Sequence, residues 1–367
     1  MMTETRVHSD LPIPPGEFLE EVIGDLGMTK HELAKRMGRP ASKLNEIFKG
    51  RKAITADTAL QLEKVLGVPA NIWTGLEGEY RLILATQEAE RERRESLKEE
   101  TKYIKLFCYA ELAKLGIVPA VTGAMDKVLA LQKFFGVTSL GSVLTLRRYS
   151  AAHRCGLAEK KRSPEAVAAW LRIGELAAAR IECKPFNSGR LESMLPAIRR
   201  MTTEAPDAFV PRLTAMLASA GVALVICPHL PKTYAHGAVF PLGAEKVALM
   251  LTIRGKYADV FWFTLFHELG HILRHKRQEA IVEYAKGGSE TDQLEREADE
   301  FASDALIPPE QWKRFIRRDP FYKNKIQTFA TGCGIDAGIV VGRLHHEGLL
   351  DQKFANDLRN KYVWIED

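Results

Sequence analysis

Apolar positions recur at helical spacing through most of the chain, and each change of rhythm marks a boundary. From about Ile13 to Tyr80 the pattern predicts five short helices. Thr29-Lys30-His31-Glu32 reads as a capping box opening one of them, with Leu33, Ala34 and Met37 as its apolar face. Gly38-Arg39-Pro40 makes a turn, and the next helix points Leu44, Ile47 and Phe48 inward. Residues from about Leu76 to Gly116 read as one or two long helices, with a run, EAERERRESLKEETK, that is charged all round and predicts a solvated spacer. Ser163-Pro164-Glu165 starts a further helix, and AVAAWLRIGELAAARI supplies its amphipathic face. Near Gly221 the rhythm changes: VALVICP and KVALMLTI (Lys246 to Ile253) read as short apolar strands. The fold class expected is mainly α and multidomain. A five-helix domain covers 1–78, a helical linker or scaffold 79–205, and an α+β domain with a small sheet 206–367.

Chemistry concentrates in Phe261-Trp262-Phe263-Thr264-Leu265-Phe266-His267-Glu268-Leu269-Gly270-His271. The flanking residues are too apolar for a solvated helix, so this one is expected to be buried. In H-E-x-x-H, His267 and His271 lie one turn apart on a single helix face and can share one metal ion. Glu268 sits beside that face, placed to take a proton from a metal-activated water. A bare five-residue motif arises by chance in unrelated proteins, so a third ligand carries the decision. Downstream, at about 100° per residue, Leu294, Ala298, Phe301, Ala302, Ala305 and Leu306 form one apolar stripe. Glu295 borders that stripe and is the preferred ligand; Glu297 points away from it and is the runner-up. Asp299 stacks one turn beyond Glu295, suited to accept the free ring N–H of a metal-bound histidine.

Other histidines fit less well. His275 follows His271 by four residues, but three successive turns of a straight helix cannot close on one tetrahedral ion, so it reads as a helix-end residue near the C-terminal dipole. His345-His346-Glu347 reads as a solvated face. Lys246 to Ile253 is the strand expected to pair with an extended substrate. Tyr234 and His236 read as loop residues, with a role in polarising a carbonyl as the alternative, and Tyr284 is weaker still.

In the first domain the two helices around Gly38 have the helix-turn-helix layout, whose second helix enters the major groove. Ser42, Lys43, Asn45, Glu46 and Lys49 lie on its outward face, flanked by Arg39 and Arg51. Asn pairs with adenine and Lys with guanine or phosphate, whereas Glu46 either reads a cytosine amino group or faces solvent.

The stretches FWFTLFHELGHILRH and EREADEFASDALIP resemble the ImmA/IrrE family of metallo-endopeptidases, with H-E-x-x-H then E-x-x-x-D in the gluzincin order. The metzincin spacing of glycine and a third histidine is missing. The resemblance implies Zn2+ held by His267, His271 and Glu295, Glu268 as general base, and a protein substrate such as a repressor or a toxin–antitoxin partner. It also implies that the tail IQTFATGCGIDAGIVVGRLHHEGLL, which has the rhythm of a second helix-turn-helix, packs within the catalytic unit. Separately, IPPGEFLEEVIGDLGMTKHELAKRMGRPASKLNEIFKGRKAITADTALQLEKVLGVPANIW resembles the XRE-type (Cro/C1-like) domain of HigA-type antitoxins. That likeness implies that residues 1–78 bind a DNA operator through Arg39, Ser42, Lys43, Asn45, Lys49 and Arg51. Pro40 and Ala41 depart from it, standing where many relatives are polar, which leaves the bases read undefined.

Composition adds limits. The 367 residues suffice for two or three cores, and 46% hydrophobic with 27% charged residues is ordinary for a globular protein. A net charge of +5 gives no global field, so any DNA-binding surface must be local. Neither an apolar leader nor a stretch long enough to span a membrane is evident, and a cytoplasmic protein is expected. The five scattered cysteines, Cys108, Cys155, Cys183, Cys227 and Cys333, read as packing residues in a reducing compartment. A homodimer is expected, because helix-turn-helix proteins read paired half-sites. The best overall reading is a DNA-binding regulator carrying a zinc endopeptidase. The alternative is an antitoxin-type or sensor repressor whose zinc domain binds without cutting.

Overall fold

The computed structural model describes residues 11–149, 162–254, 256–275, 281–284, 291–317 and 320–363, with backbone only for 281–284, 291 and 292. It divides into two compact units, Met1–Glu99 and Glu100–Asp367.

In the first unit, helices α1 (Pro15–Asp25), α2 (Lys30–Arg36), α3 (Ala41–Phe48), α4 (Ala56–Leu66) and the start of α5 (Ala70–Glu100) enclose Leu19, Leu33, Leu44, Ile47, Leu62 and Trp73. The Thr29 hydroxyl accepts from the Glu32 amide at 3.1 Å, but the Glu32 carboxylate bonds Arg36, so only half of the capping box forms. Gly16 sets the approach of α1 to α3: a Cβ there would lie 2.4 Å from the Phe48 carbonyl oxygen. Backbone cannot yield as a side chain can, so Gly16→Ala is expected to destabilise this unit by about 1–3 kcal/mol. Faster amide exchange through α1–α4, with the second unit unchanged, is the readout. One expectation is corrected. The fifth helix is not short: α5 runs 31 residues, taking in the charged spacer, because no Gly or Pro interrupts it after Gly78. Residues 85–96 are exposed, as their charge requires.

The second unit begins with α6 (Tyr103–Leu106), α7 (Tyr109–Lys114) and α8 (Ala124–Phe135), followed by α9 (Pro164–Arg180), α10 (Ser188–Arg200) and α11 (Pro206–Ser219). Residues 124–145 are long and apolar enough to cross a membrane, contrary to the sequence expectation, but Gly136 at φ 68° ends α8 and a 3-10 turn follows. As predicted, α9 starts at Pro164, with the Ser163 hydroxyl accepting from Ala166 N.

Strands β1 (Val222–Ile226), β2 (Ala235–Pro241), β3 (Val247–Leu251) and β4 (Ile281–Tyr284) form one sheet in the order β1-β3-β2-β4. β1 runs parallel to β3, and β2 runs antiparallel to both β3 and β4. β3 is therefore central and bonded on both sides. The expectation that Lys246 to Ile253 pairs with a substrate is overturned, because that strand has no free edge.

Alternation along β3 sends Val247, Leu249 and Leu251 into a core with Trp262, Leu265 and Phe266 of α12 (Ala258–Arg274). Met250 points the other way, against Gly174 of α9, where a Cβ would lie 1.9 Å from its sulfur. The sheet thus lies between α9 and α12. α13 (Thr291–Leu306), α14 (Pro309–Ile316), α15 (Lys323–Cys333) and α16 (Ala337–His346) complete the unit. α16 packs on α12, with Gly342 against the buried Asp259 carboxylate, which pairs with Arg359 at 2.7 Å. Ile339, Val340, Val341 and Leu344 join the same core, so the tail is packing, as expected. Cys108, Cys227 and Cys333 are buried free thiols and Cys183 is half-buried; Cys155 lies outside the described residues.

Candidate metal centre and nucleic-acid interface

Buried along most of its length, α12 carries His267, Glu268 and His271 at 1% exposure or less. Gly270, inside the motif, lets α13 approach: a Cβ there would meet Phe301 at 3.0 Å and the Ala298 Cα at 3.3 Å. That approach brings Glu295 to the histidines. Its Oε2 lies 3.0 Å from His267 Nε2 and its Oε1 3.6 Å from His271 Nε2, while the two Nε2 atoms are 2.9 Å apart. Ligands about 2.0–2.1 Å from a tetrahedral zinc lie about 3.3 Å from one another. Two imidazole nitrogens and a carboxylate at these separations fit that ion.

The charge states suit it too. Burial pushes His271 below the usual histidine range, keeping it neutral. Burial would raise Glu295, but hydrogen bonds from His267 and His271 outweigh it and hold the carboxyl down to about 2. A cation therefore meets a neutral His271 and an ionised Glu295 at pH 7. Protons compete with metal for the imidazole nitrogens, so affinity should hold through neutrality and fall once pH drops below the usual histidine range, where the lowered His271 takes up its proton. Glu295 stays ionised well below that. A chelator-competition titration between pH 7.5 and 5 checks the direction; affinity that rises on acidification contradicts it.

His267 Nδ1 faces Asp299 Oδ1 at 2.9 Å. Glu297 stands apart, 45% exposed, with Oε2 at 3.1 Å from His275 Nε2. His275, the cap at the end of α12, turns its ring back so that Nδ1 lies 2.9 Å from His271 Nδ1.

Sequence reasoning missed Gly237. A Cβ on this β2 residue would lie 2.3 Å from Glu268 Oε1, so only glycine allows the strand to cover that carboxylate. A glycine inside a strand is the available signal, but β2 is not legible as a strand from its residues. His236, one residue earlier, faces the α9 side by alternation, and the charges acting on it are Arg254 and His229. Tyr234 carries the Arg254 guanidinium 4.4 Å over its ring. Neither is brought to the His267–His271–Glu295 cluster, and the Tyr284 side chain lies outside the described residues. His345 corrects the expectation of a solvated face: it is buried, with Nε2 2.9 Å from the Phe354 carbonyl oxygen.

In the first unit, Ser42, Lys43, Asn45, Lys49 and Arg51 are exposed on and just after α3. Arg39 is half-buried instead, its Nε donating to Gln61 at 2.7 Å and its NH2 to Asp57 at 2.5 Å.

Residues 258–344 match the family model of the IrrE N-terminal-like domain, Peptidase_M78, and residues 19–73 match that of the helix-turn-helix domain, HTH_3. The chain is 40% identical over 77 residues to "Virulence-associated protein I" of Dichelobacter nodosus, covering 21% of this chain and 71% of that protein. Through its first unit the chain belongs to the helix-turn-helix family, and residues 258–344 are similar to the IrrE-like M78 domain. It is also 28% identical over 71 residues, 19% of this chain and 76% of the other, to "Uncharacterized HTH-type transcriptional regulator YddM" of Escherichia coli (strain K12). Among solved structures, an addiction module antidote protein of a HigA family from Coxiella burnetii is 35% identical, covering 23% of this chain and 92% of that one, with a TM-score of 0.22. The M78 match opens with the first residue of α12 and closes in α16, so it contains every residue of the His-His-Glu cluster and most of the tail.

Proposed function

We propose that this chain is a DNA-binding transcription regulator whose M78 domain is a zinc-dependent endopeptidase acting on a regulatory protein. The observation that carries the reading is the convergence of His267, His271 and Glu295, whose ligand atoms all lie within 4.8 Å of one another, with Glu268 next in the chain to His267. Zinc, when bound, supplies a Lewis acid and lowers the pKa of a water. Glu268 takes the proton of the attacking water and passes it to the leaving amine. Asp299 accepts from His267 Nδ1, which places the ring proton on Nδ1 and turns the Nε2 lone pair toward the metal. New protein N-termini appearing in cells that make the wild type, and missing with Glu268→Gln, are the test.

A second reading has its own support. Glu268 is 0% exposed, and a peptide cannot reach it unless the cover moves. A repressor whose zinc domain senses or binds without cutting accounts for that burial, and it predicts no new N-termini.

In either reading the first unit docks α3 in the major groove, as two copies on paired half-sites. Asn45 reads bases, while Lys43, Lys49 and Arg51 meet phosphates or base edges. Arg39 supports α4 more than DNA, since Asp57 and Gln61 hold it. Each phosphate contact contributes about 0.9 to the slope of log affinity against log salt. Lys43→Ala and Arg51→Ala should therefore each reduce the slope per protomer by about 1, whereas Arg39→Ala should leave it nearly unchanged and weaken the fold.

A further inference from the structure

We infer that His275 and Glu297 form a positioning relay for the metal centre, fixing the tautomer and ring orientation of His271 from the side away from the metal. The inference rests on the zinc reading above and concerns residues with no place among its ligands.

The atoms form one continuous path. His271 Nε2 faces Glu295 and His267, its Nδ1 lies 2.9 Å from His275 Nδ1, and His275 Nε2 lies 3.1 Å from Glu297 Oε2. Zinc on Nε2 of His271 requires a lone pair there, which leaves the proton on Nδ1. That N–H donates to His275 Nδ1, so His275 carries its own proton on Nε2 and donates it to the Glu297 carboxylate. Every donor then has an acceptor, and the reverse orientation is excluded because a carboxylate cannot donate. Gln293 Nε2 donates to the other Glu297 oxygen at 3.0 Å and holds the acceptor in place.

The two metal-binding histidines are thus oriented from two directions. His267 donates directly to Asp299, whereas His271 reaches Glu297 through an intervening imidazole. The break in α12 makes this possible. His275 leaves the helix at φ −111°, ψ 155° while its amide still bonds the His271 carbonyl at 3.2 Å. The side chain turns back over the last turn, and its ring centroid sits 5.0 Å from that of His271. Its side chain is 5% exposed, whereas the Glu297 carboxylate at the far end of the path is 45% exposed.

The test is zinc affinity, measured by chelator competition at fixed pH on the full chain. Loss of an outer-shell partner of a metal-binding histidine costs about 10–100-fold in affinity. His275→Phe, which keeps a ring but neither accepts nor donates, should show that loss, and so should His275→Ala. His275→Gln, with one acceptor and one donor, should recover part of it. Glu297→Gln, on an exposed side chain that cannot unfold the core, should weaken binding in the wild type and have no further effect in His275→Ala. Unchanged affinity in His275→Phe and Glu297→Gln proteins that melt like the wild type overturns the relay. A wild type that binds no zinc overturns the metal centre itself, and these outcomes are distinguishable in one titration series.

Discussion

Glu295→Ala is expected to lose stoichiometric zinc, while Glu297→Ala retains about one ion per chain. The two residues are about half a helical turn apart and chemically identical, so the contrast isolates geometry. Glu295 presents both oxygens to the histidine nitrogens, at 3.0 and 3.6 Å. Removing it leaves two imidazoles, too few for a zinc site closed by three protein ligands and water. Glu297 reaches only His275, so its loss should weaken zinc without abolishing the site. Elemental analysis of protein purified without added metal reads the outcome. Loss of zinc from the Glu297 variant with retention in Glu295→Ala would reverse the assignment. Absence of zinc in the wild type after adding the metal back would end the peptidase reading and leave a DNA-binding regulator.

Glu268→Gln is expected to keep zinc and DNA affinity and to lose cleavage by about 100- to 10,000-fold, the range for removing a general acid–base. Glutamine is nearly isosteric, so the close fit beneath Gly237 survives, and none of the three ligand atoms is touched. What disappears is the capacity to accept and return a proton. Comparison of protein N-termini in cells making wild type or variant reads the effect even while the substrate is unidentified. Identical N-termini and identical regulation of target promoters would favour the sensor reading, in which the carboxylate under β2 never meets a peptide.

Much of the site is legible in the sequence because it depends on local periodicity. His267 and His271 must share a face wherever α12 lies, and the apolar stripe on α13 places Glu295 and Asp299 at its border. The same rule ranks Glu295 above Glu297 for a physical reason: a ligand has to approach a buried helix, and the stripe is the surface that does so. His275 is more than the helix-end residue its position suggests, since ideal helix geometry does not foresee a cap that folds its ring back over the last turn. β2 escapes sequence reading because Gly237 and Pro241 weaken its strand pattern, and Gly237 is there to admit Glu268.

Residue order alone determined the helical character, the two motifs and the choice of candidate ligand residues, all of which rest on neighbours within a few turns of helix. Tertiary structure decided what depends on partners far along the chain. It made β3 a central strand without a free edge, set the sheet between α9 and α12, and joined His275 to Glu297 across 22 positions. It also withdrew Arg39 from the exposed face by pairing it with Asp57 and Gln61 on α4. Hydrogen-bonding capacity is written in a residue's type, but which partner satisfies it is settled only when distant segments meet.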